Sequence, residues 1–557
     1  MLRSLALTAA AVFAALTPTA RLTARPPPPA TTWPMFGGSP TRNMANLNDH
    51  GIPDIPDPGK GTNLLWTAAL GSRTYTQPVV AGGRVYVGTN NEQPRNPRDT
   101  VKTVDGIEPA DKGVLMCFDA RTGKFLWQAV HDKLPSGMVN DWPKEGIASS
   151  PAVDGDRVYY VSNRAEVVCV DANGFADGNQ GFQGEKYRDA TDADVLWSVD
   201  MMTQFKVFPH NLACCCPLVV GDVVYVVTTN GVDEGHVNIP SPDAPSVLAL
   251  DKRTGKLLWS DKSPGKNILH SQWSGPAYTA DPVPQVIVPL GDGWLRAFDP
   301  ATGILLWKFD GNPKGTRYEL GGTGTRNDFI GYPVVHGGRV YIGTGQDPEH
   351  FSGIAHFWAV DLARAVENGR TNPGRDVSPR WNCFYPAAAV NRRSALAWHY
   401  GGPDLRPFAA RDFVFGRTLS TACVVGDVLY AGETQGDLHC LDARTGRPYW
   451  VYDTKGTLWA SPYYVDGKVY VATESGDLFV FKHASRPEAV GDIYLTPPAG
   501  PRDANVRRRG VQKAVESRCL LAKVEFDTPL RATPAAAGGM FYITTEKTLY
   551  AFGTKGQ

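Results

Sequence analysis

One pattern of apolar and polar positions recurs along the chain after residue 60. Each copy has two or three apolar residues, usually after a proline, then a Gly- or Asp-rich turn, then a segment in which Val and Tyr alternate with other residues. Two of the eight copies are "QPVVAGGRVYVGT" (77–89) and "SPYYVDGKVYVAT" (461–473). Short apolar runs bounded by turn residues predict pairs of β-strands.

A second motif follows most copies. A third predicted strand ends in Asp and leads through a turn to a Trp, as in "MCFDARTGKFLW" (116–127) and "LALDKRTGKLLW" (248–259). The Asp carboxylate can cap the turn, the Gly accepts a positive φ, and the Trp offers a large flat surface for packing. Eight copies of four short strands predict an all-β fold, an eight-bladed β-propeller.

The two ends of the repeat region complement each other. Residues 64–70, "LLWTAAL", form a Trp-bearing fourth strand with no first three strands before it, and the last copy, ending at Phe552, lacks a fourth strand. We therefore expect this N-terminal strand to pair with the last blade and close the ring. Closure removes the free sheet edges that would otherwise promote aggregation.

Residues 1–24 carry an early cation, an apolar core and small residues near Ala20 and Ala24, which predicts a signal peptide. Residues 25–60 form a Pro-rich N-terminal segment, expected to act as a spacer, and residues 61–557 form the propeller.

Lys plus Arg and Asp plus Glu are both 56, so no basic field exists to hold nucleic acid or anionic lipid. No later apolar run is long enough to span a membrane. We expect a periplasmic or secreted protein.

The repeats resemble those of the pyrroloquinoline quinone (PQQ) propellers. This superfamily includes the quinoprotein alcohol dehydrogenases and the propeller lipoprotein of the outer-membrane barrel assembly machinery. The resemblance implies the fold, but not one function, because the same fold hosts catalytic and non-catalytic members. In the dehydrogenases it implies PQQ and Ca²⁺ on the propeller axis, Glu and Asn ligands, a catalytic Asp beside a Trp, and a vicinal disulfide under the quinone.

Some positions match that dehydrogenase pattern and one departs from it. Asn230 in "VTTNG" and His270 and Trp273 in "LHSQWSGP" match, and Glu145 is a candidate Ca²⁺ ligand. Ser271 stands where the pattern has its catalytic Asp. A serine cannot take a proton from an alcohol at neutral pH as a carboxylate can, and it brings no charge to a hard dication. The resemblance thus implies PQQ and Ca²⁺, but the sequence offers no catalytic residue.

The long loops are predicted to gather at one mouth of the ring. Residues 90–113 and 131–149 are examples, because second-to-third loops and blade-to-blade loops share one face of a propeller. Paired charges and aromatic side chains at the blade openings suit a small anionic ligand or a peptide, so we expect a small molecule or a protein partner at this mouth. The predicted contact residues are the polar run Arg326, Asn327 and Asp328, together with Arg73, Arg417 and Trp459.

Three consecutive cysteines, Cys214, Cys215 and Cys216, stand directly before a strand-like run of valines. They are open to three interpretations: small residues packed at the start of a buried strand, a vicinal disulfide between two of the three, or a metal site. No Cys-x-x-Cys motif or sequence cluster of histidines supplies further ligands for a metal.

The leading functional hypothesis is an exported propeller that binds a ligand or partner and has no dehydrogenase activity. The alternatives are a divergent PQQ-dependent quinoprotein oxidoreductase and, third, a scaffold in outer-membrane or envelope protein assembly.

Overall fold

A computed structural model describes residues 32–322, 324–350, 352–379, 394–487 and 499–554. The predicted signal peptide, residues 1–24, lies outside the described residues. The predicted all-β, eight-bladed architecture is confirmed: eight antiparallel blades, each of four strands in up-and-down order, follow one another along the chain.

In each blade the first strand is three residues long and the other three strands are longer. In chain order the strands of the first four blades are Val79–Ala81, Arg84–Asn90, Lys112–Asp119 and Phe125–Asp132; Ala152–Asp154, Arg157–Val161, Glu166–Asp171 and Val195–Asp200; Leu218–Val220, Val223–Val227, Val247–Asp251 and Leu257–Asp261; and Ala277–Thr279, Gln285–Pro289, Trp294–Phe298 and Leu305–Asp310.

Blades 5 to 8 repeat this plan, and two of them carry an additional strand. Their strands are Val334–His336, Arg339–Gly343, His356–Asp361 and Leu396–Pro403, with Phe413–Phe415 added; Cys423–Val425, Val428–Gly432, Asp437–Asp442 and Pro448–Asp453; Tyr463–Val465, Lys468–Ala472, Asp477–Lys482 and Leu520–Glu525, with Ala45–Asn46 added; and Ala535–Ala537, Met540–Thr544, Thr548–Phe552 and Leu64–Ala69.

Blade 8 is assembled from both ends of the repeat region. Leu64–Ala69 pairs antiparallel with Thr548–Phe552, with Trp66 opposite Ala551. The first strand of blade 8 also lies against that of blade 1. The fourth strand of the last blade is therefore the first long strand of the body.

Few helices interrupt this β-architecture. The described α-helices are Met201–Phe205, Leu362–Thr371 and Pro501–Arg518, and a two-stranded ribbon, Thr100–Thr103 with Gly106–Pro109, projects from blade 1. Within the described residues, none of these helices has the length and apolar character that crossing a bilayer requires.

In five blades a tryptophan on the fourth strand donates its indole N–H to a carbonyl of the next blade. The indole of Trp66 donates to the Ala120 carbonyl of blade 1, 3.2 Å away, and the Trp197 indole donates to the Lys252 carbonyl of blade 3, 3.1 Å away. A Cβ added to Gly123 would lie 2.5 Å from the Trp66 ring, so only glycine lets the ring reach the turn. The repeated Asp, Gly and Trp of the sequence motif are thus the contact between neighbouring blades.

Residues 33–49, here called the axial segment, lie inside the ring and contact every blade. Trp33 forms a bridge with Val80 of blade 1, and Ala45–Asn46 adds a parallel strand to blade 7. The segment also bonds to residues of the other six blades, namely Val153, Cys216, Tyr278, Val335, Val424 and Ala536. The described part of the Pro-rich segment is therefore packed into the propeller, and its proline content did not indicate this.

Candidate functional site

An axial cavity of about 300 Å³ opens at the loop-rich mouth of the propeller. The axial segment contributes Phe36 to its wall. Most other lining residues lie before the first strands of the blades, and Asp347, Pro348 and Glu349 lie in the loop between the second and third strands of blade 5. Six aromatic side chains line it: Phe36, Tyr75, Trp142, Trp273, Tyr332 and Trp459. This volume matches the lower end of the range for small-molecule sites.

A belt of hydrogen bonds, formed by residues that stand just before the first strands, encircles the axis below this cavity. The Gln77 amide donates to Ser150 Oγ (2.9 Å), and the Ser150 amide donates to Cys216 Sγ (3.3 Å). The Cys216 amide donates to the Tyr332 hydroxyl (2.7 Å), and the Tyr332 amide donates to Thr421 Oγ1 (2.9 Å).

The belt continues through blades 6 to 8 in the same manner. The Thr421 amide donates to Ser461 Oγ (2.9 Å), and the Ser461 amide donates to Thr533 Oγ1 (2.8 Å). The Gln77 side-chain amide then donates to the Pro534 carbonyl (2.9 Å), which links blade 8 back to blade 1. Because these residues are buried, the belt satisfies amides that water does not reach.

The three consecutive cysteines are thiols in the structure, as are all eight described cysteines; Cys383 lies outside the described residues. Cys216 occupies the belt position that Ser or Thr fills in other blades. Cys215 Sγ accepts from the Val227 amide (3.2 Å), and Cys214 lines the cavity. Burial raises the pKa of Cys215 to about 12, so this thiol stays protonated at neutral pH.

The cavity wall is acidic. Glu145, Asp347 and Glu349 line it together with a single arginine, Arg531. The Arg531 guanidinium already pairs with Glu474 Oε1, 2.6 Å away, so its charge is neutralised. Glu145 Oε2 is buried with no hydrogen-bond partner. Burial raises the pKa of Asp347 to about 6, which leaves this carboxyl largely ionised at pH 7.

The positions that match the dehydrogenase pattern do not form a PQQ and Ca²⁺ site. Both side-chain atoms of Asn230 are used within the protein: Oδ1 accepts from the Phe208 amide and Nδ2 donates to the Ser241 carbonyl, each at 2.9 Å. Ser271 Oγ donates to the Thr229 carbonyl at 3.1 Å. Both side chains are held in contacts within the protein, neither brings a charge, and one Glu145 carboxylate falls far short of the oxygen ligands that Ca²⁺ takes.

The predicted contact residues Arg326, Asn327 and Asp328 are buried and lie outside the cavity wall. The Arg326 guanidinium pairs with Asp310 at 2.7 Å, and Asn327 Nδ2 donates to the Ile354 carbonyl at 2.9 Å. Burial raises the pKa of Asp328. The polar groups of Arg326 and Asn327, which singled them out in the sequence, are used in contacts within the protein, whereas Asp328 Oδ1 is buried without a hydrogen-bond partner.

The other predicted contact residues are distributed around the mouth. Trp459 lines the cavity, and its indole donates to Glu474 Oε2 at 3.1 Å. Arg73 is 3.4 Å from Glu546 Oε1. Arg417 donates to the Ser352 carbonyl at 3.1 Å and is not part of the cavity wall. Of these three residues, only Trp459 faces the cavity.

Sequence reasoning missed a cluster of three histidines beside the cavity. His210 precedes the first strand of blade 3, His236 lies in the loop between the second and third strands of that blade, and His270 precedes the first strand of blade 4. Their Nε2 atoms converge: His210 is 3.0 Å from His270, and His236 is 3.2 Å from each of the other two. No short motif links them, because gaps of 26 and 34 residues separate them along the chain.

Two of these imidazoles are neutral at pH 7. Burial, with the neighbouring imidazoles, lowers the pKa of His210 to about 4 and that of His270 to about 2. The Trp273 ring packs edge-on against His270, with ring centroids 5.2 Å apart, and also lines the cavity. The cluster therefore places two neutral imidazoles next to the axial cavity.

Eight four-stranded blades around an axial cavity define the class: a β-propeller with one loop-rich face. The family model described as outer membrane protein assembly factor BamB, a PQQ-repeat model, matches residues 110–373 and 387–486. Because this is more than half of the chain, the protein belongs to that family. No curated protein matches the sequence.

Solved structures that align with this chain include a quinohemoprotein alcohol dehydrogenase and a BamB protein. The quinohemoprotein alcohol dehydrogenase from Comamonas testosteroni aligns with a TM-score of 0.53 at 13% identity, over 94% of this chain and 81% of that one. BamB from Moraxella catarrhalis aligns with a TM-score of 0.46 at 12% identity, over 89% of this chain and 98% of that one. At these identities the likeness is one of fold alone.

Proposed function

We propose that the protein binds a small organic cation in its axial cavity. The observation that carries this proposal is the half-buried Glu145 carboxylate: the Tyr75 hydroxyl bonds to the group, but the Oε2 atom is shielded from water without a partner, in a cavity lined by six aromatic residues. A buried carboxylate is costly unless a donor or a cation satisfies it. Aromatic faces add attraction for a cation through their quadrupoles.

The residues around Glu145 also favour a positively charged ligand. Asp347 and Glu349 bring two further carboxyl groups, whereas Arg531 is neutralised by the carboxylates beside it. The Arg531 guanidinium lies 5.8 Å from the Tyr75 ring centroid and 5.9 Å from that of Trp459. This internal cation shows that the rings at this wall accept a positive charge. An amine-bearing ligand with an apolar body fits this wall best.

The test compares two probes that differ mainly in charge. Isothermal titration with 2-phenylethylamine and with 3-phenylpropionate should give binding of the amine only. Glu145→Gln should weaken amine binding about tenfold or more, because it removes the charge and keeps the shape. Glu525→Gln, on the exposed outer strand of blade 7, is the matched control. Equal binding of both probes, or no binding by any of a panel of amines, would contradict the proposal.

The proposal includes export of the protein, because residues 1–24 resemble a signal peptide. Dehydrogenase activity is not part of it, because Asn230 and Ser271 do not supply the ligands and base that the quinoprotein pattern needs. Adding PQQ and Ca²⁺ to purified protein should give no bound-quinone spectrum and no dye reduction with alcohols. Dye reduction abolished by changing Trp273 would restore the oxidoreductase alternative.

A protein partner is the second candidate, and the ribbon at the mouth favours it. Val104 is fully exposed and Ile107 is 78% exposed, an unusual position for apolar side chains. The family description, an outer membrane assembly factor, is consistent with a partner in the envelope. Crosslinking in cells should lose a specific adduct on Val104→Asp with Ile107→Asp, and should retain it on the exposed Leu521→Asp. An adduct unchanged by the ribbon variants would exclude this surface.

A further inference from the structure

The three converging imidazoles have a proton arrangement that is difficult to satisfy without a cation. His210 Nδ1 is 2.9 Å from the Val232 carbonyl oxygen, which can only accept, so this nitrogen carries the proton. The Nε2 atom of His210 is then a bare lone pair. It lies 3.0 Å from His270 Nε2.

His270 can carry its single ring proton on Nδ1 or on Nε2. His270 Nδ1 is buried without a hydrogen-bond partner, and Asp347 Oδ2 lies 3.9 Å from it. A proton on Nδ1 points toward this carboxylate, which is favourable, but it leaves two bare Nε2 lone pairs facing each other. A proton on Nε2 relieves that contact and instead turns an Nδ1 lone pair toward a carboxylate. A proton on His236 Nε2, 3.2 Å from both atoms, can be shared with one of the two lone pairs at a time, whereas a cation among the three Nε2 atoms satisfies all of them at once.

From this geometry we propose that His210, His236 and His270 bind one divalent first-row transition-metal ion, for which zinc is the best fit. Three nitrogens placed about 2.0–2.1 Å from a tetrahedral zinc ion are separated by about 3.3 Å. The separations in the structure, 3.0 to 3.2 Å, are already close to that value. Three imidazole ligands suit zinc, copper, nickel and cobalt better than magnesium or calcium, which prefer oxygen.

The surroundings supply the outer contacts that metal-binding histidines usually have. The Val232 carbonyl orients His210, and the Asp347 carboxylate lies on the far side of His270. Such contacts fix the tautomer and raise the basicity of the ligand nitrogen. Gly231 permits this close packing, since a Cβ there would lie 2.6 Å from His210 Cβ. His236 is half-buried, so an ion can enter from its side.

A second cluster, Glu433, Asp437 and His439, shows the contrast. Its ligand atoms are also close together. There, the Arg411 guanidinium donates to both carboxylates, and Arg508 Nη2 lies 2.9 Å from Asp437 Oδ1. Arginine thus supplies the positive charge at that cluster. The groups that bond to or pack on the three histidines are instead the Val232 carbonyl, Asp347, Trp273 and His350.

Titration of metal-free, full-length protein with ZnCl₂ and CoCl₂ tests this site. We expect one equivalent of each ion to bind, and the cobalt form to show the intense visible bands of four-coordinate cobalt. His236→Ala should weaken binding at least 100-fold, and His270→Ala likewise. His236 stands on a half-buried loop, so its variant should keep the wild-type circular dichroism spectrum. His50→Ala, whose side chain is 75% exposed, is the control and should bind as wild type does.

Asp347→Asn tests the positioning contact separately. We expect about tenfold weaker zinc binding with unchanged stoichiometry, since an outer-shell residue tunes a ligand without replacing it. Failure of wild-type protein to bind zinc, cobalt, copper or nickel would overturn the proposal. Zinc binding that persists in both His236→Ala and His270→Ala would also overturn it. The amine titration is independent, because Glu145 is not one of the three metal ligands.

Discussion

The backbone amide of Cys216 in blade 3 donates to the hydroxyl of Tyr332 in blade 5, at 2.7 Å. In most blades the belt passes to the neighbouring blade through a Ser, Thr or Cys side chain. Blade 4 has Gly275 at this position, and a Cβ there would lie 2.4 Å from the Tyr332 ring. The glycine makes room for the tyrosine, and the tyrosine replaces the missing acceptor.

Tyr332→Phe should therefore destabilise the protein by about 1–3 kcal/mol, because it leaves the buried Cys216 amide without an acceptor. Denaturant unfolding, followed by tryptophan fluorescence, measures the change. Tyr278→Phe, in blade 4 and outside the belt, removes the same atom and should change stability much less. Equal losses of unfolding free energy in the two variants would show that the belt hydrogen bond of Tyr332 does not stabilise the protein.

Cys216 acts in the belt as a hydrogen-bond acceptor, so its replacement by serine should preserve stability. Cys216→Val has similar volume, but leaves the Ser150 amide unpaired and should lower stability by about 1–3 kcal/mol. Alkylation of denatured, unreduced protein should label Cys214, Cys215 and Cys216, as expected for thiols. A disulfide between any two of them would contradict this account.

Substitution of Arg42 should destabilise the protein more than most single substitutions. It is fully buried, and its guanidinium donates to the carbonyls of Phe36, Cys216, Pro217 and Pro276. Arg42→Met keeps much of the volume and removes the donors of four carbonyls. We expect a loss of about 3 kcal/mol or more, measured by denaturant unfolding. Arg84→Met, a blade 1 residue that is not fully buried, should cost far less.

Removal of the strand that completes blade 8 should expose a long sheet edge. Deleting residues 61–70 leaves Thr548–Phe552 without its partner, and we expect aggregates in size-exclusion chromatography. Deleting residues 101–108 removes a similar length from the exposed ribbon and should leave a monodisperse protein. If the first deletion is as well behaved as the second, the ring does not depend on this strand.

Stability should fall below about pH 6.5, in part because of His356. Burial, together with His399, lowers the pKa of His356 well below that of an unfolded histidine, 6.5. The unfolded chain therefore binds a proton that the folded protein excludes, so stability is greatest above pH 6.5 and decreases as pH falls. The slope per histidine is at most about 1.4 kcal/mol per pH unit. His356→Phe should reduce the fall in thermal midpoint between pH 7.5 and 5.0 in chelator-treated protein; an unchanged fall would contradict this assignment.

Local sequence determined the repeat architecture. The alternating strands and the Asp, Gly and Trp turns depend on contacts within one blade or between neighbouring blades, and on backbone preferences that a few residues express. Asp119 and Gly123 illustrate this: the Asp119 carboxylate accepts from the Thr122 amide at 2.8 Å, and Gly123 has a φ of +71°. These features predicted eight blades and the strand that completes the last one.

Tertiary structure alone decided the interior of the ring. Cys216 and Tyr332 are 116 residues apart, and Arg42 is 234 residues from the Pro276 carbonyl that it binds. The three histidines meet because two adjacent blades place their loops at one mouth. Polar residues at blade openings look alike in the sequence, whether they pair with each other or face a cavity. The closed ring decides which of them are buried together, because only closure brings distant segments to a common axis.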